Sequence, residues 1–187
     1  MRIIAGKHRG RVIRIPRDSG ARPTLDRVRE SVFNILIHGM DWPGFEGEPV
    51  LDVFAGSGAF GLEALSRGAS LATFIDIDSE ILKTIRRNAA TMGEARNITE
   101  LKLDATRLPP PPRAAGAPCV LVNLDPPYCS GLAGSALQGL KTKGWLRSGA
   151  IAVVEVAAQE PFAPPRDYIA LEERVYGAAR VIFVQIQ

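Results

Sequence analysis

Val50-Leu51-Asp52-Val53-Phe54-Ala55-Gly56-Ser57-Gly58-Ala59-Phe60-Gly61 sets an apolar run, a glycine loop and a helix start in immediate succession. The run 50–54 reads as a buried strand. Glycines let the backbone approach a ligand closely, and the helix that follows offers unpaired N–H groups at its start. The spacing is shared by dinucleotide binders, so alone it leaves the ligand open.

The pattern repeats outward from this unit. Apolar runs at 71–75, 98–103, 120–124 and 150–156 read as further strands. Between them lie helical segments that run through Ser66, from Ser79 to about Met92, and over 132–140. Segments 168–175 and 180–186 flank Gly177 as an antiparallel hairpin. Strands separated by helices predict an α/β fold: a doubly wound, mostly parallel seven-stranded sheet with an antiparallel C-terminal hairpin. Pro109 to Pro112 reads as a stiff surface loop.

The amino-terminal part has a different composition. Residues 1–29 hold nine Lys/Arg and two acids, a balance of +7 within a chain of net charge +3, so the remainder carries −4. A basic arm on a mildly acidic body is the electrostatic footprint of a nucleic-acid binder. Ile3-Ile4 and Val12-Ile13-Arg14-Ile15 read as two short strands around a Gly6-Lys7-His8-Arg9-Gly10 turn. Thr24 is placed to cap a helix whose apolar stripe is Leu25, Val28, Val32, Ile35 and Leu36. The turn-rich stretch 39–49 marks a boundary, giving a basic extension over 1–45 and a larger α/β domain over 46–187.

At 187 residues and 46% hydrophobic, the chain can bury a substantial core. It has no run of eighteen apolar residues and no long apolar start, so neither a membrane span nor a secretory signal is expected. Cys119 and Cys129 suggest neither a disulfide framework nor a metal site, which fits a cytoplasmic protein with reduced thiols. Cys129 reads as a small filler, and His8 and His38 receive no catalytic role.

Four acids follow or end strands. Asp52 precedes the glycine loop, where a carboxylate repels a pyrophosphate but favours a cofactor bearing an amino group and a sulfonium. Asp76, twenty-four residues after it, can take two ribose hydroxyls. Asp104 either accepts from an adenine amino group or caps its own turn. Asp125 opens Asp125-Pro126-Pro127-Tyr128 at the end of the fourth strand, the edge on which open α/β sheets bind ligands. Two prolines stiffen that turn. An acidic acceptor, an outward carbonyl and an aromatic face suit a planar base held by its exocyclic amine.

Three segments resemble the bacterial small-subunit ribosomal RNA guanine-N2 methyltransferases. They are Arg2-Ile3-Ile4-Ala5-Gly6-Lys7-His8-Arg9-Gly10-Arg11, Arg22-Pro23-Thr24-Leu25-Asp26-Arg27-Val28-Arg29-Glu30 and Leu51-Asp52-Val53-Phe54-Ala55-Gly56-Ser57-Gly58. Leu124-Asp125-Pro126-Pro127-Tyr128 and Tyr176-Gly177 also fit. The resemblance implies a Rossmann-like class I methyltransferase using S-adenosylmethionine to modify one guanine N2 of 16S RNA in the assembled or assembling 30S subunit. It implies cofactor contacts at Asp52, Gly56, Ser57, Gly58, Asp76 and Asp104, and guanine contacts at Asp125, Pro126 and Tyr128. Lys7, Arg9, Arg11 and Arg22 are the expected phosphate contacts; a monomer without metal is expected. Two departures stand out: Asp76 where the family commonly has glutamate, and Asn123 where an apolar residue is usual. An adenine-N6 methyltransferase, or a nucleic-acid-binding module without catalysis, are the other readings that these residues leave open.

Overall fold

The computed structural model describes residues 1–15 and 23–187, with side chains from residue 26 onward in the second stretch. Helix α1 (Pro23–Asn34) continues into a π-helical turn, Ile35–Gly39. Then follow β1 (Pro49–Val53), α2 (Ala59–Ser66), β2 (Leu71–Asp76), α3 (Ser79–Thr91), β3 (Ile98–Lys102), β4 (Cys119–Leu124) and α4 (Leu132–Thr142). Strands β5 (Leu146–Ala157), β6 (Tyr168–Tyr176) and β7 (Ala179–Ile186) close the chain. One seven-stranded sheet has the order β3-β2-β1-β4-β5-β7-β6. Its first four pairings are parallel, and β7 runs antiparallel to both β5 and β6.

The strand order reverses between β1 and β4, which lie side by side with Asp52 opposite Asn123 and Val53 opposite Leu124. Their carboxyl ends therefore open onto one crevice, the place where doubly wound sheets bind ligands. Each face of the sheet carries its own apolar layer. On one, Phe33, Leu36, Phe60, Leu62, Leu65 and Ile85 pack against Val50, Phe74 and Phe183. On the other, Leu137, Leu140 and Trp145 cover Leu51, Val122 and Val154. The fully buried Trp145 satisfies its indole N–H on the Pro109 carbonyl at 2.8 Å, which ties down the exposed proline-rich loop.

The amino-terminal hairpin forms where the sequence places it, with Ile3 N–H donating to the Arg11 carbonyl at 2.9 Å and Ile13 N–H to the Met1 carbonyl at 3.1 Å. Its ladder is a single antiparallel bridge, Arg2 to Val12, with a 3-10 turn at Gly6–His8. Its outward-facing amides bond to the body of the fold: Ile4 N–H and Ala5 N–H donate to Glu63 at 2.7 and 3.0 Å, and His8 N–H donates to Ser66 Oγ at 3.0 Å. Asn88 grips Arg14 by both its N–H and its carbonyl, at 3.0 and 2.8 Å. Gly6 permits this docking, since a Cβ there would sit 1.9 Å from the Ser66 carbonyl oxygen. Ile3 and Ile13 are buried in the same apolar layer as Phe33 and Phe60. The side chain of Thr24 and all of Arg22 lie outside the described residues.

Candidate active site

The turn leaving β1 is strained in a specific way. Phe54 takes φ +58, a conformation disfavoured for a bulky residue and found most often at functional sites. Phe54 lines three cavities of ≈ 140, ≈ 270 and ≈ 590 Å³. The first is lined by Asp52, Gly56, Ser57, Asp125 and Glu155, and is walled on one side by Met1 and Arg29 from the amino-terminal arm. The second is an apolar slot of Ile75, Ile77, Leu103, Ala105 and Leu132, edged by Asp76, Asp104 and Thr106. The third joins the other two, running from Asp76 past Asp125 and Pro126 to Tyr128 and Glu155.

Asp52 is 1% exposed and has two partners: Gly61 N–H at the start of α2 and Asn123 Nδ2, each at 3.0 Å. Burial pushes its carboxyl up to about 7 despite both bonds, with Asp76 adding to the rise and Arg29 opposing it. Asp125 is exposed where it opens onto the cavity, and partial desolvation together with the nearby carboxylates of Glu155 and Asp52 raises its carboxyl. Glu155 is raised as well, chiefly by burial, while the Tyr128 hydroxyl donating to it at 2.8 Å works the other way. Three carboxyl groups thus share a space that favours a bound cation.

Asp76 accepts from Gly56 N–H at 3.1 Å and Asp78 N–H at 2.9 Å, so it shapes the glycine loop as well as edging the slot. Asp104 fulfils the capping expectation through Oδ1, which accepts from Thr106 N–H and its hydroxyl at 2.9 and 2.7 Å, and it also borders the slot. Gly56 and Ser57 line the first cavity, and a Cβ on Gly56 would meet nothing closer than the Phe54 carbonyl at 3.8 Å. Gly58 instead serves packing, because a Cβ there would come within 2.8 Å of Ile85. Pro126 and Tyr128 border the joining cavity, and Tyr128 is 46% exposed. Cys129, expected as a small filler, is exposed at φ +56, its N–H donating to Glu160 at 2.7 Å.

Among the expected phosphate contacts, Arg9 and Arg11 are exposed. Lys7 pairs with Glu94 at 2.7 Å, beside His8 at 2.6 Å from the same oxygen. Burial opposes ionisation of Glu94, but the bonds from Lys7, Asn97 and His8 outweigh it and hold the carboxyl at about 2. Glu155, Asn123 and Arg29 were not among the sequence candidates. An acid within the apolar run 150–156 and an amide within 120–124 were the available signals.

The family described as conserved hypothetical protein 95 matches residues 1–185. Ribosomal RNA small subunit methyltransferase D of Haemophilus influenzae is 35% identical over 95% of this chain and 89% of its own. The solved structure of yhhF from Escherichia coli superimposes with a TM-score of 0.84 at 35% identity, covering 100% of this chain and 98% of that one. Magnesium protoporphyrin IX methyltransferase of Synechocystis PCC 6803, solved with bound SAM, shares the fold at a TM-score of 0.63 and 12% identity, over 88% of this chain and 80% of its own. The chain therefore belongs to the conserved hypothetical protein 95 family and has the fold of the class I methyltransferases.

Proposed function

We propose that the protein transfers a methyl group from S-adenosylmethionine to the exocyclic N2 of a guanine in 16S ribosomal RNA. On this reading it acts as a cytoplasmic monomer on the small subunit or its assembly intermediate. The observation that carries the reading is the convergence of Asp52, Asp125, Glu155 and Tyr128 on connected cavities at the β1/β4 crevice.

The cavities fit the cofactor by chemistry. The apolar slot would hold the adenine ring, with Asp104 at its edge, and Asp76 would take the ribose hydroxyls. Asp52, Gly56 and Ser57 would hold the cationic amino-acid end, where three carboxyl groups make a pyrophosphate unwelcome. Bound S-adenosylmethionine supplies a methyl already activated on a positively charged sulfur. The rest is positioning, which contributes about 7–11 kcal/mol when reacting atoms are well aligned.

A guanine amino nitrogen is a weak nucleophile because its lone pair is delocalised into the ring. Asp125 and the Pro126 carbonyl would accept its two N–H bonds and orient that pair. Tyr128 would stack on the base, an interaction worth about 1–3 kcal/mol. The nitrogen must shed a proton as its bond to the methyl carbon forms, and Asp125 is suited to take it, its carboxyl being raised by its surroundings and by Glu155 and Asp52.

The test is transfer of labelled methyl from S-adenosylmethionine to undermethylated 30S particles, free 16S RNA and duplex DNA, followed by digestion to nucleosides. N2-methylguanosine from the particles or RNA is the expected product. N6-methyladenosine would replace guanine by adenine as the target.

A further inference from the structure

We infer that Glu155 reads the target base, accepting the N1–H of guanine beside the amino group held at Asp125 and so selecting guanine over adenine. This assignment rests on the guanine-N2 reading above and names the residue that enforces it.

The placement follows from sheet register. Strands β4 and β5 are parallel neighbours with Leu124 opposite Val154, so Asp125, the first residue past β4, stands beside Glu155, which is still within β5. Adjacent strands lie about 4.8 Å apart, close enough for the two side chains to converge on the neighbouring N1–H and N2 donors of one purine edge. Both residues border the same two cavities. The Tyr128 hydroxyl donates to Glu155 Oε1 at 2.8 Å, which places the stacking ring and this carboxylate around one space.

Guanine presents N1–H and the N2 amino group side by side, so two adjacent acceptors match it. Adenine presents its amino group beside an N1 lone pair, which a carboxylate repels. A cation seated among Asp52, Asp125 and Glu155 offsets their mutual repulsion and keeps them ionised, preserving that contrast. Asp125 alone does not discriminate, because it meets an amino group in either base. Specificity of this kind combines a matched contact for one ligand with a repulsive one for the other. Were Glu155 only a brace for Tyr128, its loss would affect every purine equally.

The experiment uses 30S particles reconstituted on 16S RNA whose target nucleotide, located from the wild-type product, is either guanosine or 2-aminopurine riboside introduced by ligation. 2-Aminopurine keeps the amino group but carries a lone pair at N1. Wild-type protein should prefer guanosine by roughly 10- to 100-fold. Glu155→Gln, whose amide can donate to N1, should collapse that ratio to within a few-fold, whereas Glu155→Asp, which keeps an acceptor, should retain a preference for guanosine. Comparing ratios between proteins cancels the intrinsic reactivity of the two bases. Equal loss on both substrates in Glu155→Gln, or no preference in the wild type, overturns the assignment. A wild-type product without N2-methylguanosine removes the guanine reading itself, a result distinct from an unchanged ratio.

Discussion

Asn123 Nδ2 donates to Asp52 Oδ1 at 3.0 Å, across two strands in which these residues stand directly opposite one another. An amide in a strand otherwise made of apolar residues has a cost unless it finds a partner. Here it finds a buried carboxylate that itself needs one. Asn123→Leu should therefore leave Asp52 with the Gly61 N–H alone, cost about 1–3 kcal/mol of stability, and weaken S-adenosylmethionine binding. Urea unfolding and calorimetry would check both, and an unchanged affinity would separate Asn123 from the cofactor side.

Asp52 makes binding depend on pH. Its carboxyl rises from an ordinary 3.8 to about 7 on folding, so the folded state holds an extra proton between those values. Stability from this group is thus full below about 4 and falls as pH rises toward 7, in the same direction as the raised Asp125 and Glu155. A cationic ligand favours the ionised form. Affinity for S-adenosylmethionine should climb by up to about tenfold per pH unit below 7 and then level off. Calorimetry at several pH values should show that slope flattened in Asp52→Asn, with Asn123, Arg29, Asp76, Asp125 and Glu155 all still facing the site.

Asp125→Asn should separate binding from chemistry. The amide still offers an oxygen to one N–H of the base but accepts no proton. Cofactor affinity should change by less than about tenfold while transfer falls by roughly 100-fold or more. Single-turnover transfer compared with calorimetric affinity gives both numbers, and equal losses in the two would move Asp125 to the cofactor.

Strand-loop-helix units were legible because each is local: an apolar run, a glycine or turn signal, then helical spacing. Strand β2 begins at Leu71 and α3 at Ser79, as their patterns require. Strand β5 begins at Leu146, earlier than its apolar run, because Gly149 at φ +80 interrupts the pattern and the register shifts there between Cys119 and Leu121. Glu155 and Asn123 gain their meaning from strand adjacency, which no local periodicity states. The hairpin itself was legible, but its docking was not, since Glu63, Ser66 and Asn88, distant in sequence, take its remaining backbone groups.

Glu94 should hold the arm through an acid-sensitive clamp. Its carboxyl is depressed from 4.5 to about 2, so its contribution is full above 4.5 and is lost as pH falls toward 2. Glu94→Gln should lower stability at neutral pH by about 2 kcal/mol. The gap from wild type should close between pH 4.5 and about 2, read from urea midpoints. A gap constant across that range would mean that the clamp contributes no charge-dependent stability.

The same pairing divides the basic arm into two kinds of residue. Lys7 is engaged with Glu94, whereas Arg9 and Arg11 stand exposed on the turn and its return. For single-stranded RNA, each neutralised phosphate adds about −0.7 to the slope of log affinity against log salt, so four contacts give a slope near −3. Arg9→Ala combined with Arg11→Ala should make that slope shallower by about 1.4 and leave the urea midpoint unchanged. Lys7→Ala should do the reverse, lowering the midpoint by leaving Glu94 short of a cation while shifting the slope less than either arginine. Fluorescence anisotropy of labelled RNA between about 50 and 200 mM salt measures the slopes. A wild-type slope near zero would remove the arm from RNA binding and leave its docking against Glu63 and Ser66 as its whole role.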